Sequence, residues 1–314
     1  MHPISSGARR HARLAAHLPV LLLAALAGCR DAESARRVDE AEYAKTMERF
    51  RADRAEAIAG ADGWITLVGL FWLQPGENRV GSGPSAEARL PADRAPAALG
   101  TVFVEGDSVR FVAAPGAEVT VGGARVTETR LRTDADSAQT VLAHGSLTLR
   151  VIRRGDRLAL RVKDAEHPAR TAFEGLRYFP VDPAWRVSGR FRADAPGDSI
   201  DIINILGMQE KQPTPGVIEF TVDGRKHTLR PVLEKGETRW FVMLKDSTSR
   251  DQTYPAGRYL YVDPPHARGR VVLDFNQAYN PPCAFTAFAT CPLPPRENTL
   301  ALAVRAGELR PGKH

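Results

Sequence analysis

Cysteine is scarce in this chain: three in 314 residues, at Cys29, Cys283 and Cys291. No His or third Cys lies near the last two, so they do not make a four-ligand zinc site, and no metal or cofactor is expected. Runs of Lys and Arg are also missing. With Arg9, Arg10 and Arg13 set aside as leader residues, the formal charge falls from +6 to +3. A chain so balanced, with no basic stripe to follow a phosphate backbone, is not a nucleic-acid binder. No G-x-S-x-G, H-E-x-x-H, P-loop or dinucleotide fingerprint occurs, so none of the standard catalytic motifs supports an enzyme. Beyond residue 60 no apolar pattern runs at helical period for more than two turns.

What is present begins at the N-terminus. "ARRHARLAAHLPVLLLAALAGC" has a basic start and an apolar stretch from about Leu14 to Ala27. That stretch is short for a span and ends in small residues, the pattern of a cleaved secretory leader. Leu26-Ala27-Gly28-Cys29 resembles the lipobox of bacterial lipoproteins. The resemblance implies cleavage before Cys29, a diacylglycerol on its sulfur and attachment to a membrane. Arg30 follows, and Asp31 stands one place too late for an inner-membrane retention signal. The expected location is therefore periplasm-facing, on the outer membrane.

The rest divides by pattern. Residues 1–28 are leader, 29–37 a polar tether, and 38–60 a helix whose Tyr43, Met47 and Phe50 fall at i, i+4 and i+7. "WITLVGLFWL" then reads as a buried strand or a strand pair bent at Gly69. Short alternating segments follow, punctuated by Gly106-Asp107, Gly122-Gly123, His144-Gly145 and Gly155-Asp156, which is hairpin after hairpin. The Pro-broken segment "FEGLRYFPVDPAWRV" separates this series from a second one. The expected fold is all-β: two antiparallel β-sandwich or barrel subdomains, 61–168 and 169–311, preceded by one amphipathic helix.

The stretch 273–295, "LDFNQAYNPPCAFTAFATCPLPP", holds two cysteines and five prolines, and can form neither a regular helix nor a strand. In an oxidising compartment Cys283 and Cys291 are expected to bridge, closing a nine-residue loop, worth roughly 2.5 kcal/mol on chain entropy. Reduced, buried thiols are the alternative. Asp274, Asn276, Tyr279 and Asn280 supply polar groups that either meet a ligand or brace the loop backbone. Tyr254 and Arg258 flank a tight turn, and Arg258 would pair with a carboxylate such as Asp274. Arg161, Asp164, His167 and Arg170 bring cation, acid and base within ten residues.

Four stretches, "GWITLVGLFWLQPGENRVGS", "RVKDAEHPARTAFEGLRYFPVDPAWRV", "TYPAGRYL" and "LDFNQAYNPPCAFTAFATCPLPPRENTLALAVRAGE", together resemble the DUF1684 family of bacterial and archaeal proteins. The likeness spans about residues 45–309 and implies no assigned activity. The meander from Thr66 to Asp164 resembles a forkhead-associated sandwich, a phosphothreonine reader, with "PGENRVGS" at its Gly-Arg turn. The phosphate-gripping Ser and His of that fold are not recognisable, so the likeness concerns the fold.

The functional expectation is a lipid-anchored binder of a small or extended polar ligand, such as a glycan, at the C-terminal subdomain. The candidate residues are Asp274, Asn276, Tyr279, Asn280, Tyr254, Arg258, Arg161 and His167. An envelope ester or glycoside hydrolase and a structural partner in an envelope assembly are the alternatives. Oligomeric state is not legible.

Overall fold

The computed structural model describes residues 39–312, so the leader, Cys29, the whole tether and the first residue of the expected helix lie outside the described residues. The chain enters through helix α1, Glu40–Ala59. Asp39 caps it by accepting from the Glu42 amide at 3.0 Å, which satisfies one of the amides a helix start leaves unbonded. The expected apolar stripe is there, with Tyr43 and Met47 buried, joined by Ile58 next to the last residue.

The first β unit is a sandwich of two sheets. One has the order β1-β11-β10-β9-β6-β7, formed by Leu67–Trp72, Arg157–Asp164, Leu147–Arg154, Leu142–His144, Thr120–Val121 and Ala124–Arg125. The other has the order β3-β2-β4-β5-β8, formed by Ala88–Arg89, Gly76–Gly81, Gly100–Glu105, Ser108–Ala113 and Glu128–Arg130. Two-residue turns stand at Gly106-Asp107, Gly122-Gly123 and Gly155-Asp156 as expected, and at Gly145-Ser146, one residue on from the expected His144-Gly145. Gly155, at φ +58°, links β10 to β11 in a backbone region that side chains with a Cβ disfavour. Two details differ from the expectation. Trp64–Thr66 is a 3-10 turn, and only from Leu67 does the strand begin, with its register slipping between Leu67 and Gly69. The short β2–β3 pair is parallel.

Period-2 alternation packs this unit. Leu158, Leu160 and Val162 of β11, and Leu147, Leu149 and Val151 of β10, enter a core completed by Val102, Phe111 and Leu142. The other face of β11 carries Ala159, Arg161 and Lys163.

The second unit has a four-stranded sheet, β16-β15-β12-β19, from Arg225–Leu229, Gly216–Val222, Arg186–Ala193 and Arg270–Asp274. A pair, β17 (Trp240–Leu244) and β18 (Arg258–Val262), packs against it, and a hairpin β13–β14 (Ser199–Ile203, Gln209–Pro213) stands beside the Cys291–Leu293 backbone. Strand β17 is buried on both faces. Trp240, Val242 and Leu244 join the sheet core, whereas Phe241 and Met243 join a second cluster with Tyr259 and Cys291. That second cluster faces the first β unit and forms the floor of the site.

Candidate ligand-binding site

A cavity of about 510 Å³ lies where α1, the first β unit and the β17–β18 pair meet. Alternation decides what lines it. On β18, Leu260 and Val262 go to the core, so Tyr259 and Tyr261 point the other way, beside Phe241. The ring of Phe241 lies 4.7 Å from that of Tyr259 and 5.2 Å from that of Tyr261. Tyr279 extends the aromatic floor, its backbone bonded in both directions to that of Tyr259. Trp64 and Phe50 complete the apolar wall.

Three arginines reach this cavity, and only one lacks a bonded partner. Arg54, on α1, donates from Nε to the buried Glu308 carboxylate at 2.7 Å and lies over the Tyr279 ring at 4.4 Å. Arg154, on β10, bonds Asp134 at 2.7 Å and the Thr290 hydroxyl at 2.9 Å. Arg161, on β11, sits directly opposite Arg150 on β10. Arg150 and Lys163 share Asp62 at 2.9 Å and 3.1 Å. No hydrogen bond or ion pair satisfies Arg161 among the described residues. Its Nε is buried without a partner, and its only direct contact of this kind is the Trp64 ring, 5.3 Å away. Desolvation, and then the charge of Arg154, push its pKa down to about 10. A half-buried guanidinium with an unbonded Nε and no ion-pair partner is costly in a folded chain, and it lines the cavity.

Glu234 and Asp53 also line the cavity. Glu234 accepts from the Tyr261 hydroxyl at 2.6 Å through one oxygen. Burial first of all, and also Glu234, hold the Tyr261 phenol well above its usual pKa.

The residues singled out in the sequence separate in space. Arg161 and Tyr279 come together at this cavity. Asp274 lines a different, more polar hollow of about 320 Å³, where it accepts from the Tyr43 hydroxyl at 2.9 Å. Asn276 is buried and donates to the Asp182 carbonyl at 2.9 Å and to Tyr43 at 3.1 Å. These two residues clamp the start of α1 to the second β unit. The Asn280 backbone amide donates to the Glu308 carboxylate at 2.8 Å, and its side-chain amide donates to the Leu309 carbonyl at 2.8 Å. The Tyr254 hydroxyl donates to the Cys283 carbonyl at 2.9 Å. Arg258 is fully buried and pairs with Asp246 at 2.8 Å, not with Asp274. His167 caps a 3-10 turn through the Ala169 amide and lies in a third hollow with Asp164 and Phe288.

The bridge expected between Cys283 and Cys291 is not formed; both are free thiols. The 3-10 turn Pro282–Ala284 presents the Cys283 amide to Cys291 Sγ at 3.1 Å. A hydrogen bond from the Cys291 thiol to the Cys283 sulfur lowers the Cys283 pKa and raises that of Cys291. The turn thus seats the second sulfur against a backbone donor. Rigidity of the stretch comes from prolines and backbone bonds, with Cys291 packed beneath the aromatic floor.

Sequence reasoning missed Trp64, Phe241, Tyr259, Tyr261, Arg154 and Glu234. The signal available was alternation: "LTLRVIRR" and "RLALRVK" place Arg154 and Arg161 on the non-core face. Nothing in the sequence pairs that face with "RYLYV".

The fold is thus an all-β protein with one N-terminal helix and a cleft between its parts. Over residues 171–309 the chain matches, and belongs to, the family described as "Protein of unknown function (DUF1684)". It is similar to the solution NMR structure of the uncharacterized protein from gene locus rrnAC0354 of Haloarcula marismortui, at 32% identity over 45% of this chain and 80% of that one, TM-score 0.39. It also resembles an FHA domain from a study of phosphothreonine-dependent interactions, at 21% identity over 33% of this chain and 99% of that one, TM-score 0.22. A third likeness is to the FhaA FHA domain complexed with the intracellular domain of Rv3910, at 19% identity over 30% and 97%, TM-score 0.22. Likenesses of this size carry no argument about the cavity. No curated protein matches the chain.

Proposed function

We propose that this protein binds a small organic anion in the cavity between α1, β11 and the β17–β18 pair. One observation carries the reading: Arg161 stands partnerless in an aromatic cavity while its neighbours Arg150, Arg154 and Lys163 are all paired. A carboxylate or phosphate would supply the missing counter-charge, in the two-point manner guanidinium favours. The rings of Phe241, Tyr259, Tyr261 and Tyr279 would take an apolar or aromatic body. The volume lies within the range of small-molecule sites.

The binder is read as an exported lipoprotein held by a lipid on Cys29. Nine residues, 30–38, join Cys29 to Asp39, a reach of at most roughly 35 Å when extended, so the cavity would work close to a membrane surface. Support comes from the lipobox-like Leu26-Ala27-Gly28-Cys29.

Calorimetric titration with aromatic carboxylates and phosphates tests the anion reading. Binding by the wild-type chain and its loss in Arg161→Met is the expected result. Equal binding by both proteins, or none by either, overturns it. Membrane fractionation of Cys29→Ser tests the anchor: release is expected, and unchanged membrane attachment with normal processing rejects it.

A further inference from the structure

The anion reading leaves one feature of the cavity unused. Glu234 faces the same space as Arg161, yet no ion pair joins the two. Only one oxygen of Glu234 has a partner, the Tyr261 hydroxyl. Asp53, on α1, lines the same cavity, is exposed, and has no bonded partner among the described residues. A cavity built for a simple anion gains nothing from carboxylates on its wall, because each repels the ligand's charge. Here an unpaired cation and an incompletely bonded carboxylate line one cavity together with the rings of Phe241, Tyr259 and Tyr261.

Glu234 also lines the adjoining polar hollow of about 270 Å³, which shares Arg154, Thr290 and Pro292 with the aromatic cavity. Arg161 does not reach that hollow. The carboxylate therefore stands where the aromatic cavity and the polar hollow adjoin.

We propose that the ligand is a zwitterion of the α-amino-acid class with an aromatic or branched apolar body, its carboxylate on Arg161 and its ammonium on Glu234. This rests on the anion reading above and adds the second pole. A free amino acid and a short peptide share that chemistry. The peptide separates its two charged ends further and would extend toward the polar hollow.

Titration of the full chain with four probes decides the matter: 3-phenylpropanoate, 2-phenylethylamine, phenylalanine and alanyl-phenylalanine. The expected order puts phenylalanine or the dipeptide about tenfold or more tighter than 3-phenylpropanoate, with no binding of the amine. The tighter of the two zwitterions identifies free amino acid or peptide. Glu234→Gln should erase the advantage of the zwitterion without weakening 3-phenylpropanoate, which loses a repelling neighbour. Equal or tighter binding of 3-phenylpropanoate to the unmodified protein overturns the zwitterion while leaving the anion reading intact. Binding of none of the three acidic probes counts against both. The comparison on the unmodified chain needs no variant, so the result does not depend on whether Glu234→Gln folds.

Discussion

The two β units bury different things. The first is filled with aliphatic side chains, with Phe111 the one aromatic ring among its fully buried core residues. The second buries Trp240, Phe220, Phe241, Phe275 and Tyr259 together with Arg258, Asp246, Asn276, Asn298 and Glu308. An aliphatic sandwich needs only the right volume and alternation. A unit with charges in its interior must bond them, because each buried polar group left alone costs stability. Arg258 shows the bonded case: its Nη atoms reach Asp246, Val304 and Ala306. Arg161, on the first unit's outer face, shows the unbonded one. The first unit thus serves as a scaffold that delivers one unmatched charge, and the second holds a polar-braced aromatic wall against it.

Breaking the bonded pair should have the largest effect. Asp246→Ala leaves Arg258 buried and alone, and also strips the Thr248 and Val304 amides of their acceptor. Urea unfolding should show a loss of about 3–5 kcal/mol. A loss below about 1 kcal/mol would mean that the second unit does not depend on its interior polar bonds. In the first unit, Leu160→Ala tests the aliphatic case, since Leu160 is fully buried. A loss of about 2–4 kcal/mol is expected, set by cavity creation alone. Asn298 donates to the Arg230 and Met243 carbonyls and accepts from the Arg230 amide. Asn298→Ala should cost about 1–3 kcal/mol.

Arg161 should behave in the opposite sense. Its folded pKa lies below the ordinary arginine value, so the charged folded form carries a penalty at every pH below about 10. That penalty is relieved only as pH climbs from there toward the unfolded value. Arg161→Met should therefore raise stability at neutral pH, by about 1 kcal/mol, while abolishing anion binding. Anion affinity of the wild type should stay flat through neutral pH and fall as pH passes about 10. A destabilised Arg161→Met would show that the guanidinium is structural. The smallest change expected is at the β10–β11 turn. Gly155→Ala forces a Cβ onto φ +58° and should cost about 1 kcal/mol in thermal melts, with binding untouched.

Much of the architecture was legible because it is local. The stripe Tyr43, Met47 and Phe50 marked α1, and Gly106, Gly122, Gly145 and Gly155 marked turns, since both patterns depend on neighbours a few residues away. The 3-10 turn at Trp64–Thr66 escaped notice because a continuous apolar run has no period to read. At the site, Arg161 and Tyr279 were found and Tyr259, Tyr261 and Glu234 were not. Asp274 and Asn276 carry the polar chemistry of a site but spend it holding α1 through Tyr43, 231 and 233 residues away in sequence.

The sequence by itself determined the helix, the alternation that sends Arg161 to one face of β11 and Tyr259 and Tyr261 to one face of β18, and the stiffness of the proline-rich stretch. Each follows from backbone geometry and from which side chains prefer water. Tertiary structure alone decided that those two faces meet, that Arg258 finds Asp246 while Arg161 finds no carboxylate, and that Cys291 packs under an aromatic floor as a thiol. The meeting of β11 with β18 joins segments about a hundred residues apart, and even Arg258 and Asp246 are 12 residues apart; the free energy of such contacts is shared among many small terms and written in no single stretch of chain.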